Sequence, residues 1–339
     1  MLRKGLFLLL AVYLLLAAGW VVRSGFIDES AGGRELLHVA NDPTRELWRA
    51  MNDAFIRHDF ERTGEKIAIR MSHGGSGSQA RAVIDGLQAD IVSLGLWSDI
   101  DAIRKAGLID ADWETKRPNR GLPFISTMVF VVRKGNPKAI RDWPDLLRPD
   151  VTIVTPNPKT SGNGKWSVLA MWTALRDRGR SEAEVEADLT QIFRRVPVLD
   201  AGARGATLTF TDKKIGDVHL TWENEAFSEV AEARGQLEII YPAVSILAEP
   251  PIASVDAHAR RNGTAKIVDE YLKFLYSPPG QAIGVAHGYR PTQIPVPADR
   301  FPPIRLIPSS SLGTWDEIQA RFFATGALFD RIQTAGRAK

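Results

Sequence analysis

The chain has 339 residues, of which 44% are hydrophobic and 24% are charged, and its formal net charge is +3. A chain of this length buries a substantial core and suits two domains or two lobes. The ordinary composition excludes a disordered chain and a multispanning membrane protein, and the interleaved basic and acidic residues leave no basic stripe for nucleic acid or an anionic membrane.

The N-terminal residues have the pattern of an export signal. Arg3 and Lys4 precede an uncharged, leucine-rich run at 5–22, and the small residues at 17–19 suit cleavage after Gly19. We therefore predict that residues 1–22 are a signal peptide and that the protein is periplasmic. The alternative is an uncleaved inner-membrane anchor, because the run is near the lower length limit for a spanning helix. The chain has no cysteine, so it forms neither a disulfide nor a lipid-modified cysteine.

Beyond this leader, strand-like apolar runs alternate with helix-like segments, which predicts an α/β fold. The predicted strands are residues 35–40, 66–71, 90–96, 126–133, 151–156, 217–222 and 237–242. Apolar residues at helical spacing predict helices at 44–61, 78–89 and 165–179. Asp42 is the predicted N-cap of the first helix, with Pro43 at the first helical position.

Four loops lie where a predicted strand ends and a helix begins. They are "NDPT" (41–44), "HGGSGSQ" (73–79), "PNPKTSGNGK" (156–165) and "DAGARGATLT" (200–209). In open α/β sheets ligands collect beyond the carboxyl ends of the strands, and the free N–H groups of a helix's first turn attract anions. Glycine lets the backbone approach a ligand closely. Together the four loops predict convergence on one anionic ligand.

One of these loops also fits a different class of protein. Gly75, Gly77 and Ala80 match the G-x-G-x-x-A dinucleotide fingerprint, and Asp99 and Asp101 follow roughly twenty residues on. A dinucleotide-binding enzyme is therefore an alternative. An exported protein meets little nicotinamide cofactor, however, and the fingerprint alone has a high false-positive rate.

Spacing argues against two other chemistries. The six histidines show no H-x-H or H-E-x-x-H pattern, so we predict no metal site. The stretch "GGSGS" (74–78) misses the G-x-S-x-G nucleophile elbow at its last position, and we predict no catalytic residue.

A longer set of motifs points to one family. The stretches include "NDPTREL", "SHGGSGSQA", "TPNPKTSGNGKW", "LDAGARGATLTF", "IGDVHLTWENEA" and "SILAEPPIASVD". From residue 36 to 339 the chain resembles the periplasmic sulfate-binding proteins of sulfate/thiosulfate ABC transporters. The resemblance implies a type II periplasmic-binding-protein fold, with a ligand cleft between two α/β lobes. Lobe 1 would comprise 35–122 and 255–339 and lobe 2 residues 123–254, with hinge crossings near 123–130 and 245–256.

The resemblance also implies a ligand site. In that family a dehydrated sulfate is held by neutral donors alone. Carried over by motif, the donors are the N–H groups of Asp42, Gly162, Asn163 and Ala203, the hydroxyl of Ser76, the hydroxyl and N–H of Ser161, and the indole N–H of Trp222. Asn163 replaces the family's usual glycine. Because asparagine tolerates the left-handed backbone region better than most residues, the loop shape is expected to persist.

The implied function is capture of sulfate and its delivery to the permease and ATPase of an ABC transporter. The protein would be a monomer that binds no nucleic acid, needs no cofactor and performs no chemistry. Sulfate is a dianion with acceptors only, so a pocket of donors suits it better than phosphate, which carries a proton at neutral pH. On this view Lys159 and Lys165 are solvated rim residues. Thiosulfate or a molybdate-type oxyanion in the same cleft is the alternative.

Overall fold

The computed structural model describes residues 34–337 of the chain. The predicted signal peptide or anchor at 1–22 lies outside these residues. Between residues 34 and 337, no helix is both long enough and apolar enough to cross a membrane.

Strands and helices alternate along the chain, which confirms the predicted α/β class. The strands are β1 (Arg34–Asn41), β2 (Ile67–Gly74), β3 (Ile91–Ser93), β4 (Phe124–Arg133), β5 (Ile153–Val154), β6 (Val218–Trp222), β7 (Leu237–Ile240), β8 (Val244–Ala248), β9 (Ile252–Ser254), β10 (Arg290–Pro291) and β11 (Arg305–Pro308). The α-helices are α1 (Arg45–Thr63), α2 (Ser76–Ile84), α3 (Trp97–Lys105), α4 (Gly162–Asp177), α5 (Glu182–Arg194), α6 (Ala203–Thr211), α7 (Glu223–Glu232), α8 (Asp256–Arg261), α9 (Ala265–Leu275), α10 (Pro278–Ala286), α11 (Trp315–Ile318) and α12 (Leu328–Arg337). Each predicted strand and helix is present, although β3, β5 and β7 are shorter than predicted and α2 ends at Ile84.

Lobe 1 is built on a four-stranded sheet in the order β2-β1-β3-β9. β1 pairs in parallel with β2 and with β3, and β9 pairs antiparallel to β3. Helix α1 covers the sheet with Leu47, Met51 and Phe55, which recur at helical spacing and are buried. Because β1, β2 and β3 are parallel, the loops that follow them leave the sheet at one edge.

Lobe 2 is built around the long strand β4. The sheet order is β11-β8-β4-β6-β5, and β7 and β10 also pair with β4. Strands β6, β7, β8 and β10 are antiparallel to β4, whereas β5 is parallel to β6. The large side chains of Phe130, Trp143 and Trp166 pack in a single core between this sheet and helices α4, α5 and α12.

The lobes are joined where the sequence predicts crossings. Leu122 and Pro123 lead from lobe 1 into β4, and residues 249–251 lead from β8 in lobe 2 to β9 in lobe 1. Both connections are extended and short.

The C-terminal segment departs from the predicted lobe boundary. β11 pairs with β8, α12 packs against α5, and Phe322 and Phe329 lie in the lobe 2 core. The prediction that 255–339 belongs to lobe 1 is therefore wrong from Arg305 onward, and the chain crosses a third time after β10, which pairs only with the first two residues of β4. An amphipathic terminal helix shows which face is buried but not which neighbour covers it.

A buried ion pair ties this third crossing to lobe 2. Arg290 in β10 donates from Nε and Nη2 to the two carboxylate oxygens of Glu223, at 2.7 and 2.8 Å. The two side chains are 7% and 0% exposed. Arg290 also donates to the carbonyl oxygen of Pro302 at 3.0 Å. Glu223 is the first residue of α7, so the pair fixes the start of that helix.

We expect Arg290→Ala to lower the free energy of unfolding by about 3–5 kcal/mol, because it leaves the Glu223 carboxylate buried without its partner. Urea unfolding followed by circular dichroism measures this change. The matched control is Arg331→Ala, which breaks the exposed ion pair with Glu186 and should cost about 0–1 kcal/mol. Similar losses in the two variants would contradict a structural role for the buried pair.

Candidate anion-binding site

The residues of the predicted site lie at the starts of helices. Asp42 is the first residue of a 3-10 turn that runs directly into α1, and Ser76 is the first residue of α2. The remaining five occupy the starts of α4, α6 and α7: Ser161 is the N-cap of α4 and is followed by Gly162 and Asn163, Ala203 begins α6, and Trp222 is the N-cap of α7. The first N–H groups of a helix have no partner within the helix, and the helix dipole adds partial positive charge there.

These helix starts come from both lobes and face each other. A Cβ placed on Gly162 of lobe 2 would lie 3.9 Å from the Cβ of Ser76 in lobe 1, and one placed on Gly75 would lie 3.6 Å from the carbonyl oxygen of Thr160. The start of α6 contacts the 3-10 turn at Asp42. These contacts bring α2, α4, α6 and the turn at Asp42 close to one another and put the two lobes in contact beside the predicted cleft.

Trp222 supplies a hydrogen-bond donor with no protein acceptor. Its side chain is 3% exposed, and within residues 34–337 nothing accepts a hydrogen bond from its indole N–H. Leaving a buried N–H unpaired costs about 1–3 kcal/mol. A ligand acceptor in the cleft would remove this cost, so the indole N–H fits the predicted role.

Ser161 offers fewer donors than predicted. Its backbone N–H donates to the carbonyl oxygen of Asn157 at 2.9 Å, inside the loop. Its Oγ caps α4 by accepting from the N–H of Gly164 at 3.4 Å. The hydroxyl proton remains for a ligand, but the predicted N–H contact is wrong because the loop needs that group for its own turn.

Ser76 also differs from its predicted role. Its hydroxyl donates to the carboxylate of Asp99, and its oxygen accepts from the N–H of Gly95 at 3.0 Å. The hydroxyl is thus used inside lobe 1, and the group that Ser76 presents at the start of α2 is its backbone N–H. Sequence reasoning missed Asp99 as the partner, because nothing in the spacing shows that the first turn of α3 packs beside α2.

Asp99 places a carboxylate close to the cleft. Burial raises the pKa of this carboxyl group, while the hydrogen bond from Ser76 and the positive charge of Lys165 act in the opposite direction. Lys165 lies on lobe 2, and burial lowers the pKa of its ammonium group, while the negative charge of Asp99 acts in the opposite direction. Closing the lobes therefore buries a negative and a positive group from opposite sides of the cleft.

The two lysines expected on the rim are instead held by the C-terminal segment. Lys159 Nζ donates to the carbonyl oxygen of Phe323 at 2.9 Å and forms an ion pair with Asp330 at 2.7 Å. Lys165 Nζ donates to Gln319 at 3.2 Å. Lys159 remains exposed, as expected of a solvated residue, whereas Lys165 is partly buried because the C-terminal segment packs on lobe 2 rather than on lobe 1.

The side chain of Asp42 points away from the cleft. Its carboxylate forms an ion pair with Arg45 at 3.2 Å and is 42% exposed. Asn41, not Asp42, is the N-cap of the first turn, because β1 extends through Asn41. The predicted N-cap is therefore one residue late, and the contribution of Asp42 is confined to its N–H.

Asn163 is helical, so the left-handed conformation considered for it does not arise. Its amide nitrogen lies 3.4 Å from the hydroxyl of Thr221, next to Trp222. Its amide oxygen is buried, and nothing in the described part of the chain donates to it. The side chain thus joins the start of α4 to the end of β6 and leaves the backbone N–H of Asn163 at the helix start.

The acidic residues of the dinucleotide fingerprint are already bound to other side chains, which contradicts the dinucleotide interpretation. Asp99 is bonded to Ser76, and Asp101 forms ion pairs with Arg104 and Lys105 at 2.6 and 2.9 Å. Neither carboxylate is free to bind a ribose hydroxyl. Across residues 34–337, no group of three or more acidic or histidine side chains is arranged to hold a metal ion.

Comparisons with known proteins identify the family of the chain. Residues 39–290 match the model of the family described as bacterial extracellular solute-binding protein, and the chain belongs to that family. Its relatives include proteins named for sulfate and for thiosulfate. The chain is 44% identical over 304 residues to the sulfate-binding protein of Escherichia coli K12, covering 88% of this chain and 92% of the relative.

Two further comparisons support this family membership. The chain is 43% identical over 324 residues to the thiosulfate-binding protein of Pseudomonas aeruginosa, covering 94% of this chain and 96% of the relative. The solved structure of the sulfate-binding protein SubI from Mycobacterium tuberculosis H37Rv matches with a TM-score of 0.76 at 32% identity, covering 85% of this chain and 99% of that one.

We expect Gly164→Ala to disturb the start of α4. A Cβ at this position would lie 2.5 Å from the carbonyl oxygen of Pro156 and 2.7 Å from the backbone nitrogen of Pro158, and backbone atoms cannot rotate away. Overpacking of this kind costs about 1–3 kcal/mol, which thermal unfolding measures as a lower Tm. The control Gly336→Ala has ordinary space in helix α12 and should stabilise by up to about 1 kcal/mol. Unchanged stability of Gly164→Ala would show that the loop moves freely.

Proposed function

We propose that this protein binds sulfate between its lobes and delivers it to the permease of an ABC transporter, which an ATPase powers. The indole N–H of Trp222 carries this proposal, because it is a buried donor without a protein acceptor at the point where helix starts from both lobes meet. The relatives named for sulfate support the choice of ligand.

The donor set suits a fully ionised tetrahedral anion. The ligand would be bound by the N–H groups of Asp42, Ser76, Gly162, Asn163 and Ala203, the hydroxyl of Ser161 and the indole of Trp222. All of these groups donate. A protonated anion such as hydrogen phosphate would face these donors with its own O–H group, at a cost of about 1–3 kcal/mol for each unpaired group. The site would therefore discriminate against hydrogen phosphate because none of these donor groups accepts the proton of its O–H group.

No lysine or arginine is needed to balance the charge of the ligand. Several helix dipoles point their positive ends at the cleft, and anions are commonly bound at such ends without a counterion. Lys159 and Lys165 are already held by the C-terminal segment. Neutral donors in a fixed geometry also spare the protein the desolvation of a buried cation.

The proposal extends from ligand binding to the location of the protein and its part in transport. The protein would act in the periplasm as a monomer, exported by the leader at 1–22, and it would perform no chemistry on its ligand. Closure of the lobes would present a surface that the permease recognises. The fate of the leader is decided by mass spectrometry of the N-terminus of the exported protein.

We expect Trp222→Phe to weaken sulfate binding ten- to a hundredfold, because it removes one donor to a charged acceptor, worth about 1.5–3 kcal/mol, and keeps an aromatic ring. Isothermal titration calorimetry with sulfate measures the change. Trp172→Phe is the matched control, since Trp172 is buried against Phe322 in the lobe 2 core. Equal sulfate affinities of the Trp222→Phe variant and the wild type would show that the indole N–H does not bind the ligand.

Thiosulfate is the second candidate, favoured by the thiosulfate-binding relative at 43% identity over 324 residues. Competition calorimetry with sulfate, thiosulfate, phosphate and molybdate ranks the ligands. Tighter binding of thiosulfate than sulfate would replace the first proposal with the second. Tight binding of phosphate would contradict a site made of donors alone.

A further inference from the structure

A short segment of lobe 1 reaches across the cleft into lobe 2. Gly95 and Leu96 connect β3 to α3. The carbonyl oxygen of Gly95 accepts a buried hydrogen bond of 2.9 Å from the indole Nε1 of Trp166, which lies on α4 of lobe 2. This bond joins residues of opposite lobes, beside the starts of α2 and α4.

Leu96 adds an apolar contact at the same place. Its side chain is buried in the hydrophobic core of lobe 2, together with Met128, Trp166 and Trp222. A Cβ placed on Gly162 would lie 3.9 Å from the Cγ of Leu96. A leucine of lobe 1 therefore fills a space in the core of the other lobe, directly behind the start of α4.

The same residues touch both walls of the proposed site. On the lobe 1 side, the N–H of Gly95 donates to the hydroxyl oxygen of Ser76 at 3.0 Å. On the lobe 2 side, the ring of Trp166 packs edge-on against the ring of Trp222, with centroids 6.1 Å apart. Trp166 is thus connected to the first residue of α2 through one residue, Gly95, and to the unpaired indole donor of Trp222 through a ring contact.

We propose that Gly95, Leu96 and Trp166 form a latch that holds the lobes closed and positions Ser76 and Trp222 for the anion. This inference rests on the proposed function, since the latch serves the same cleft. Trp166 is a positioning residue and not a ligand, because its only donor group is used by Gly95. When the lobes separate, its N–H exchanges a protein acceptor for water and Leu96 loses its apolar surroundings.

An exposed ion pair also joins the two lobes, and it stabilises their contact less than the latch does. Lys105 of α3 forms an ion pair with Asp316 of α11 at 3.2 Å, and the side chains are 52% and 74% exposed. Exposed pairs are screened by salt and contribute little. The buried bond and the leucine contact escape this screening, so the latch is expected to act on closure at any ordinary salt concentration.

The test compares Trp166→Phe with Trp172→Phe, two equal changes on the same helix. Loss of the buried hydrogen bond should raise the dissociation rate of sulfate about fivefold in Trp166→Phe, with little change in the association rate. Stopped-flow tryptophan fluorescence measures both rates. Trp172→Phe should leave both rates within about twofold of wild type, since its ring contacts lobe 2 alone.

Leu96→Ala gives a second, independent measure. Removing the side chain that fills the lobe 2 core should accelerate dissociation at least tenfold. Because the chain has no cysteine, fluorophores can be attached at Lys66→Cys on lobe 1 and Lys213→Cys on lobe 2. Single-molecule energy transfer then counts closed molecules with and without sulfate, and both latch variants should lower the closed fraction.

The outcomes separate the latch from the proposed function. Equal dissociation rates and closed fractions for Trp166→Phe and Trp172→Phe would overturn the latch, even if sulfate binds tightly. If the wild type binds neither sulfate nor thiosulfate, the proposed function fails. The latch is then tested by the fraction of closed molecules without ligand. Equal closed fractions in Trp166→Phe and Trp172→Phe overturn the latch, and a lower closed fraction in Trp166→Phe supports it.

Discussion

Enclosing a doubly charged anion between two lobes strips it of water, and the desolvation of an ion is expensive unless the protein replaces the lost hydrogen bonds. In the proposed site, backbone N–H groups at the starts of helices would replace these hydrogen bonds. Asp42 and Ser76 begin helical turns in lobe 1, and Gly162 and Ala203 begin helices in lobe 2. The parallel strands of lobe 1 matter because they bring two of these helix starts to one edge of a sheet.

In the proposed function, dividing the donors between two lobes makes binding and closure a single event. Neither lobe alone surrounds the ligand, so the complete set of donors exists only when the lobes meet. The closed geometry then depends on contacts that carry no charge in the cleft, such as the bond from Trp166 to Gly95 and the packing of Leu96. The ion pair of Arg290 with Glu223 fixes the start of α7, next to the indole of Trp222.

Most of the fold could be predicted from local patterns. The strands and helices are recognisable because burial of one face imposes a period of about 2 or 3.6 residues on the sequence. The C-terminal segment could not be placed in this way. Its β-strand and helix pack against β8 and α5, and such pairing depends on partners 61 residues away for β8 (Arg305 and Val244) and more than a hundred residues away for α5.

At the site, the sequence by itself predicted which helix starts belong together, because the family motifs occur in order along the chain, whereas glycine and serine alone are common in any connection from a strand to a helix. Tertiary structure alone decided which atoms remain to bind a ligand. Packing of α3 beside α2 gives the hydroxyl of Ser76 to Asp99, and the turn before α4 uses the N–H of Ser161. Each polar atom can serve only as many partners as its geometry allows, and those partners are known only once the chain has folded.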